Sequence, residues 1–362
     1  MDCSLGEGTV VASSLTEPEI SMNMKQHASV MEAIVMQAPG GAEVLRLQEL
    51  PVPGISHDTD VLVRLRAAGL NPIDAKLRQN PGSYSLPLPV VLGFDGAGVV
   101  EATGSAVTRF APGDEVYFCH PSFGGRSGCY ATYTVVPEIL LARKPENLSF
   151  AEAAAVPLAL ITAWESLFER AAVQAGQNVL VHGGAGGVGH LAIQLAKQVG
   201  AGVCTTVSSK AKATFVNSLG ADECIYYRDE DFVQAVLRWT AGQGVDVALD
   251  AVGGQTFEQT FAAVRYAGRV VTLLQPASGT NWSIARQRNL GIGMELMLSP
   301  TYLRIPQAQR AQSRILEACA PRFGNNELRV RVTQTFSLKD AALAHHELES
   351  GAQIGKLVLE ID

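Results

Sequence analysis

A glycine-rich segment in the middle of the chain has the residue types and the spacing to hold a phosphate group. The sequence NVLVHGGAGGVGHLAIQLAK contains the pattern G-x-G-x-x-G at Gly184, Gly186 and Gly189, with Gly187 and Val188 inside it. Glycines let the turn tighten and the backbone approach a pyrophosphate, and the helix that follows supplies N–H groups and positive potential. The segment follows a strand-like run and opens a helix-like one, which predicts a dinucleotide site. The alternative is a glycine-rich turn without a ligand.

The residues after the second predicted strand of this region indicate which dinucleotide binds. An NAD site usually has Asp or Glu about 20 residues after the glycines, where the carboxylate holds the ribose 2′-hydroxyl. From His190 through Ala221 this chain has no acidic residue, and the second strand ends instead in Ser208 and Ser209, followed by Lys212. Hydroxyl and ammonium groups suit a 2′-phosphate, which an acid would repel. The pattern favours NADPH, and the alternative is a solvated basic start of a helix.

The glycine segment lies where strand-like and helix-like runs alternate. The apolar runs NVLVHG, VCTTVS, CIYY, VDVALDAVG and GRVVTLL are short, and helix-like runs separate them. In the first helix-like run, apolar residues recur at i, i+3, i+4, i+7, i+8 and i+11 from Val188 to Val199. Unbroken apolar strands between amphipathic helices indicate a parallel sheet covered on both faces. We therefore expect an α/β fold with a doubly wound, dinucleotide-binding Rossmann domain over residues 151–300.

The regions on either side of this domain have a different residue composition and periodicity. Residues 31–150 form short β-branched segments punctuated by Gly and Pro, which predicts a compact β-barrel domain. The Ala-rich run SFAEAAAVPLALITAWESLFERA then predicts a helix, with Ser149 and Glu152 at the spacing of a capping box. Two strand-like runs near the end predict that residues 301–362 return to the first domain. Residues 1–30 are small, polar and aperiodic, and we expect a disordered extension there.

Composition and charge exclude several classes of protein. The chain has 362 residues, 47% hydrophobic and 17% charged, which is enough apolar material for the cores of two domains. Its net charge is −7 and its Lys and Arg residues do not cluster, so no nucleic-acid partner is expected. The longest apolar run, residues 153–164, is too short to cross a bilayer, so no membrane span is expected. The six cysteines form no C-x-x-C pair, which favours a reducing, cytoplasmic setting.

Several of these blocks together resemble the medium-chain dehydrogenase/reductase superfamily. The blocks are the β-rich first half, AGGVGHLAIQLAK, SLGADECIYYRDEDF and VDVALDAVGG, and the resemblance extends over residues 31–362. The branch that the chain resembles most is the zinc-free quinone oxidoreductase (zeta-crystallin-like) group. The resemblance implies a GroES-like catalytic domain, a Rossmann domain that binds NADPH, and usually a homodimer or a dimer of dimers, with the dimer contact near GIGMELML.

The residues at the zinc positions of related enzymes cannot supply zinc ligands in this chain. Zinc alcohol dehydrogenases that resemble it have Cys at the position of Asn71 and a His-Glu pair at the positions of Phe94 and Asp95. A further Cys, expected near Leu158, is missing, as are the four cysteines of the structural zinc lobe. A catalytic zinc needs three protein ligands, so we predict no metal. One cluster of thiol and imidazole residues remains, and because it lacks a standard ligand spacing we interpret its members as buried, inert residues and not as a metal site: Cys119, His120 and Cys129.

The resemblance also implies which residues form the site. On the catalytic side of the pocket it places Asn71, Asp74 and Tyr84. Around the cofactor we expect, in addition to the glycine segment, the following residues: Thr162, Ser208, Ser209, Lys212, Tyr227, Val252, Gly253, Leu274 and Lys356. The last of these, with Gly355, resembles a family loop that closes over the cofactor. Lys76 stands where close relatives often have Tyr, a departure that bears on substrate preference.

Structural roles are the alternatives for several of these residues. Asn71 and Asp74 lie on either side of Pro72 and would then shape a turn, while Tyr84 would pack a loop. His182 and His190 flank the glycine segment, one at the end of a buried strand and the other at the start of a helix. We interpret both histidines as structural residues with satisfied hydrogen bonds.

The reaction class follows from the cofactor and the missing metal ligands. We expect hydride transfer from NADPH to a quinone or an α,β-unsaturated carbonyl compound, because conjugation spreads the incoming charge onto oxygen and reduces the need for a Lewis acid. Tyr84 and Lys76 are candidate donors to that oxygen, and water is the alternative proton source. Three other functions stay open: an enoyl-thioester reductase, with Arg286 and Arg288 as a modest basic patch, a zinc-type alcohol dehydrogenase, and an NADPH-binding protein without turnover.

Overall fold

A computed structural model describes residues 30–84, 87–121 and 128–362 of the chain. The disordered extension expected over residues 1–30 lies outside these residues, apart from Val30.

The first half of the chain is built from short antiparallel strands. They are β1 (Val30–Met36), β2 (Leu45–Pro51), β3 (Asp60–Gly69), β4 (Val90–Val91), β5 (Asp95–Thr103), β6 (Glu115–Cys119), β7 (Tyr133–Pro137) and β8 (Leu141–Arg143), with one helix, α1 (Pro72–Gln79). β1 pairs with β2 and β4, and β3 pairs with both β5 and β7. The long central strand β3 is buried over most of its length, so this domain forms its core around β3 and β5.

The Ala-rich run that follows is broken where a single helix was expected. It forms α2 (Phe150–Ala154), α3 (Pro157–Trp164) and a π-helical segment, Glu165–Arg170. The break falls at Pro157, because proline has no N–H to donate and its ring clashes with the preceding turn. The capping box is confirmed: Ser149 Oγ accepts from the Glu152 N–H at 3.2 Å, and Glu152 Oε2 accepts from the Ser149 N–H at 2.9 Å.

The second domain is a parallel six-stranded sheet with helices between its strands. The strands are β9 (Asn178–Val181), β10 (Gly202–Val207), β11 (Glu223–Tyr226), β12 (Val245–Asp250), β13 (Val264–Thr272) and β14 (Gly291–Met294). The connecting helices are α4 (Gly187–Gln198), α5 (Lys210–Ser218), α6 (Phe232–Trp239), α7 (Gly254–Thr260) and α8 (Ser283–Gln287). The strand order β11-β10-β9-β12-β13-β14 is that of a doubly wound Rossmann sheet, as the alternation of strands and helices predicts.

The C-terminal segment joins the sheet of the first domain. After α9 (Ser299–Tyr302) and α10 (Pro306–Gly324) come β15 (Val332–Ser337), α11 (Ala341–Ser350) and β16 (Lys356–Glu360). β16 pairs antiparallel with β3, with Val358 opposite Gly69, and β15 pairs parallel with β16. The last strand of the chain therefore lies beside the central strand of the first domain.

A row of polar side chains on α4 connects the two domains. His190, Gln194 and Gln198 are spaced at i, i+4 and i+8, so they lie on one face of the helix. Gln194 donates to the Arg329 carbonyl at 2.9 Å and accepts from its N–H at 2.8 Å. Gln198 donates to the Glu327 carbonyl at 2.8 Å, and the N–H of Arg331 lies 3.4 Å from His190 Nε2. Each of the three side chains thus binds the backbone of the segment that leads into β15.

Among the helices of residues 30–84, 87–121 and 128–362, none combines the length and the hydropathy that a membrane span requires.

Candidate functional site

The glycine-rich turn lies between β9 and α4, where the strand order of the parallel sheet reverses. Ligands of such sheets bind at this point, outside the carboxyl ends of the strands. A Cβ added to Gly184 would lie 2.0 Å from Thr205 Oγ1, and one added to Gly189 would lie 2.4 Å from the Gly183 carbonyl. Both glycines therefore permit close packing within the turn. A Cβ on Gly186 would meet only the Gly183 carbonyl, at 3.2 Å, which leaves this part of the turn open to a ligand.

The residues expected at a 2′-phosphate follow two neighbouring strands. Ser208 and Ser209 come after β10, and Tyr227 comes after the adjacent β11, with half of its side chain exposed. Ser209 caps α5 by accepting from the Lys212 N–H at 3.3 Å. The ammonium of Lys212 lies 3.4 Å from the Gly351 carbonyl, at the loop before β16. Two hydroxyl groups, a phenol and an ammonium thus lie at the carboxyl ends of these two parallel strands.

The loop after β12 faces the glycine turn and is shaped by Asp250, which the sequence analysis did not single out. The Asp250 carboxylate accepts from the N–H groups of Val252 at 3.0 Å and Gly253 at 2.9 Å, and from the Thr272 hydroxyl at 2.9 Å. Gly253 has φ +75°, and the Leu274 side chain would lie 2.7 Å from a Cβ added there. Val252 is left half exposed beside the strand ends. The sequence signal that could have identified Asp250 is an acidic residue at the end of a predicted strand, followed by glycines.

On the side of the site that is expected to be catalytic lies a buried polar cluster of Asn71, Asp95 and Lys356. The Asn71 side-chain NH₂ donates to Asp95 Oδ2 at 2.9 Å, and its carbonyl oxygen accepts from the Lys356 ammonium. That ammonium also donates to the Leu70 carbonyl at 2.6 Å and lies 3.7 Å from Asp95 Oδ2. Asn71 was expected here, whereas Asp95 had been considered only as a missing zinc ligand. Lys356 was expected to cover the cofactor, but its ammonium points to Asn71.

Asp74 lies next to this cluster, at the end of a chain of hydrogen bonds. Its Oδ2 accepts from the Asn71 backbone N–H at 2.9 Å and from the Tyr130 hydroxyl at 3.2 Å. His345 Nε2 lies 3.2 Å from the same hydroxyl, and Arg78 Nη1 lies 3.1 Å from His345 Nδ1. A guanidinium can only donate, so Nδ1 accepts and Nε2 carries the hydrogen. Every donor in this series of hydrogen bonds therefore points towards the Asp74 carboxyl group.

Thr162 lies on α3, the helix that is bound to the cluster through the N–H of Leu158. Its hydroxyl donates to the Leu158 carbonyl at 2.7 Å, one turn earlier in α3, and its side chain is buried. The Leu158 N–H in turn donates to Asp95 Oδ1 at 2.9 Å. A carboxylate at the first turn of a helix stabilises the helix N-terminus. Asp95 thus holds both Asn71 and the helix that carries Thr162.

Burial changes the acidity of the charged groups in the cluster. Desolvation raises the pKa of Asp74 to about 7; the Asn71 N–H opposes this shift, and the neighbouring Asp95 carboxyl adds to it. Desolvation also raises the pKa of Asp95, against the effect of the Lys356 ammonium. The same burial lowers the pKa of Lys356, while Asp95 and Asp74 raise it. The charge state of each of these three groups therefore depends on the other two.

The structure places the remaining candidate residues away from the cluster or leaves them undescribed. Lys76 is exposed on α1, although its neighbours Asp74 and Asn71 are buried. Tyr84 ends a short turn, Pro81–Tyr84, and its side chain lies outside the described residues. Tyr130, His345 and Arg78 support Asp74 but were missed by the sequence analysis, because no local motif surrounds them.

The two histidines beside the glycine turn have structural hydrogen bonds. His182 contacts the Thr260 hydroxyl at 2.9 Å and the Thr206 hydroxyl at 3.3 Å. His190 Nδ1 lies 2.8 Å from the Gly186 carbonyl, within the turn itself. Burial lowers the pKa of each histidine to about 4, so both are neutral near pH 7.

The described residues do not fit a catalytic zinc ion. At the expected position, the amide of Asn71 is bound to Asp95 and Lys356, and the lysine ammonium would repel a second cation. Within residues 30–84, 87–121 and 128–362, no group of three His, Cys, Asp or Glu residues could hold a metal ion. Cys119, His120 and Cys129 therefore form no such group either.

Known proteins share both domains of this architecture. A family described as "Alcohol dehydrogenase GroES-like domain" matches residues 57–146, and one described as "Zinc-binding dehydrogenase" matches residues 219–359. The quinone oxidoreductase of Pseudomonas aeruginosa is 36% identical over 333 residues, 90% of this chain and 98% of the relative. The chloroplastic NADPH-dependent alkenal/one oxidoreductase of Arabidopsis thaliana is 41% identical over 273 residues, 73% of this chain and 68% of the relative. The solved quinone oxidoreductase structure from Coxiella burnetii superposes with TM-score 0.80 at 34% identity, covering 92% of this chain and 100% of that one.

The acidity of Asp74 gives a testable prediction about stability. Because its pKa in the folded chain, about 7, lies above its ordinary value of 3.8, the folded state disfavours the ionised form. The free energy of unfolding should therefore fall as the pH rises from about 4 to about 7. In Asp74→Asn this part of the pH dependence should disappear, while in the exposed control Asp229→Asn it should persist. Urea unfolding across this pH range measures both, and equal slopes in Asp74→Asn and the unmodified chain would contradict the assignment.

Proposed function

Because this chain is an oxidoreductase of the medium-chain dehydrogenase/reductase superfamily, in its quinone oxidoreductase branch, we propose that it reduces quinones or α,β-unsaturated carbonyl compounds with NADPH and without zinc. The observation that carries the proposal is the position of the glycine turn, at the reversal point of the parallel sheet and beside the buried cluster of Asn71, Asp95 and Lys356. A dinucleotide held at the turn would extend towards that cluster.

The choice of NADPH rests on the residues that follow β10 and β11. Ser208, Ser209, Lys212 and Tyr227 offer donors to a 2′-phosphate, and no acidic residue between His190 and Ala221 would repel it. The name of the Arabidopsis relative specifies the same cofactor for that protein. Thr162, Val252, Gly253 and Leu274 would line the rest of the groove.

The protein's task in such a reaction is orientation and charge stabilisation. A bound nicotinamide supplies the hydride. The glycine turn and Thr162 hold the cofactor side, and the buried cluster holds Asn71, whose side-chain NH₂ keeps one hydrogen beyond the bond to Asp95. Such a donor stabilises negative charge on an acceptor oxygen. Asp74 and Tyr84 complete the proposed catalytic side of the pocket.

The proposal includes a cytoplasmic homodimer. Five cysteines in the described residues form no disulfide, which supports a reducing compartment. β14 is an edge strand of the parallel sheet, so one side of its backbone pairs with no strand among the residues that the structure describes. Near it lie four apolar side chains that are about half exposed or more: Met294, Leu296, Tyr302 and Leu303. An open edge with exposed apolar residues favours pairing with a second copy of the chain.

The acceptor class is tested by following NADPH oxidation with a small panel of compounds. The panel contains an ortho-quinone, a para-quinone, an enone, crotonyl-CoA and a simple ketone, each with and without a chelator. We expect turnover of a quinone or the enone that the chelator does not change. Preference for crotonyl-CoA would indicate an enoyl-thioester reductase, and chelator-sensitive turnover of the ketone alone would indicate a zinc enzyme. NADPH binding without any turnover would indicate a non-catalytic protein.

Lys212 tests the cofactor assignment. In Lys212→Glu the ammonium is replaced by a carboxylate that repels a 2′-phosphate, so the KM for NADPH should rise roughly 10- to 100-fold. The KM for NADH, which lacks this phosphate, should change much less. The exposed Lys339→Glu is the control for a charge reversal elsewhere. Equal effects of Lys212→Glu on both cofactors would contradict the 2′-phosphate site.

The homodimer is tested by the mass of the protein in solution. Leu303→Glu places a charge in the exposed apolar surface near β14, so it should convert a dimer into monomers. Leu343→Glu, on α11, changes a leucine of similar exposure (58% against 61%) far from β14 in the sequence and should leave the mass unchanged. Light scattering coupled to size-exclusion chromatography measures both. A monomeric unmodified chain, or a dimer that survives Leu303→Glu, would contradict this interface.

A further inference from the structure

We propose that Lys356 is a positioning residue, which fixes the Asn71 amide relative to the glycine turn by binding Asn71 and Asp95 and does not bind a cofactor phosphate. The inference rests on the proposed function for its activity readout, but the contacts that support it lie within the chain. Lys356 would then have a role other than that of a cofactor ligand, although it lies at the glycine turn.

The stem of Lys356 lies directly against the glycine turn. A Cβ added to Gly187 would lie 3.0 Å from Lys356 Cδ, so the absence of a side chain at position 187 leaves room for the lysine. The preceding residue is bound to the same turn, because the Gly355 N–H donates to the Ala185 carbonyl at 2.8 Å. The start of β16 and the glycine turn therefore cannot shift independently.

The ammonium of Lys356 points away from the turn and is held by partners within the chain. It donates to the Leu70 carbonyl and to the Asn71 side-chain carbonyl, and Asp95 Oδ2 lies 3.7 Å away as its ion-pair partner. The side chain is only 4% exposed. To reach a phosphate, the ammonium would have to leave Asp95 as a buried charge without its cation, which is costly. The geometry thus favours the internal role.

The two charged neighbours leave the Asn71 amide a single orientation. An ammonium can only donate and an ionised carboxylate can only accept, so the carbonyl end of the amide faces Lys356 and the NH₂ end faces Asp95. Asp95 is also bound to the Leu158 N–H at the first turn of α3, the helix that carries Thr162. One network therefore connects the glycine turn, Asn71 and α3, all of which would contact a bound dinucleotide.

The first experiment compares two lysines in matched substitutions. Lys356→Met keeps the length of the stem and removes the charge, and Lys212→Met does the same at the proposed 2′-phosphate site. In Lys356→Met we expect kcat to fall about 100-fold, the effect of misplacing a reacting group by about 1 Å. The Kd for NADPH, measured by fluorescence titration without an acceptor, should change less than about threefold. Lys212→Met should raise the Kd for NADPH, and the exposed Lys339→Met should change neither the Kd nor kcat.

A second pair of variants separates positioning from stability. Lys356→Met leaves the Asp95 carboxylate buried without its cation, so urea unfolding should show a loss of stability. Adding Asp95→Asn removes that charge and should restore part of the stability. The orientation of Asn71 is not restored, so kcat of the double variant should stay as low as that of Lys356→Met. Recovery of kcat together with stability would overturn the proposal, because Lys356 would then act through stability alone.

The outcomes also separate this inference from the proposed function. If Lys356→Met raises the Kd for NADPH strongly and leaves kcat unchanged, Lys356 is a phosphate ligand and the inference is wrong, while the reductase activity stands. If none of the acceptors in the panel supports NADPH oxidation by the unmodified chain, the proposed function fails. The inference would still be judged from nucleotide binding, because a strong rise of the Kd in Lys356→Met would overturn it there as well.

Discussion

The salt bridge between Lys356 and Asp95, with the Asn71 amide bound to both, is the interaction on which the arrangement of this protein depends. Burying an ammonium and a carboxylate is unfavourable unless each is paired and hydrogen-bonded. These residues come from the start of β16, the start of β5 and the turn before α1. Their charges can be satisfied only when the C-terminal strand lies beside β3. The return of the chain to the first domain is thus required by electrostatics as well as by the pairing of strands.

Much of the fold could be predicted from the sequence because its signals are local. The glycine spacing around Gly184 and Gly189, the apolar face of α4 and the alternation of strands with helices each lie within a short window, and the strand order agrees with them. The capping box at Ser149 was equally readable. The helix break at Pro157 was also readable in principle, since proline disfavours a helix interior, but the Ala-rich composition on both sides outweighed it.

The candidate site was only half predictable, for a physical reason. Asn71 and Asp74 lie in a recognisable block, but their partners are distant in the chain: Lys356 is 285 residues from Asn71, and His345 is 215 residues from Tyr130. Nothing in the sequence near Asp95 distinguishes a residue that binds a lysine from one that merely replaces a metal ligand. Lys356 shows the same limit, because the resemblance of Gly355 and Lys356 to a family loop does not show where the lysine ammonium points, which in the structure is to Asn71.

The polar row on α4 has a mechanical consequence. His190, Gln194 and Gln198 bind the segment before β15 along three turns of the helix, and Gly355 binds the glycine turn at the helix start. A rotation of one domain against the other would have to break several of these bonds together unless its axis runs close to α4. The part of the domain interface beside α4 and the glycine turn is then the part that moves least. If the chain has the proposed reductase function, opening between the domains would occur mainly farther from α4, where an acceptor would enter and its product would leave.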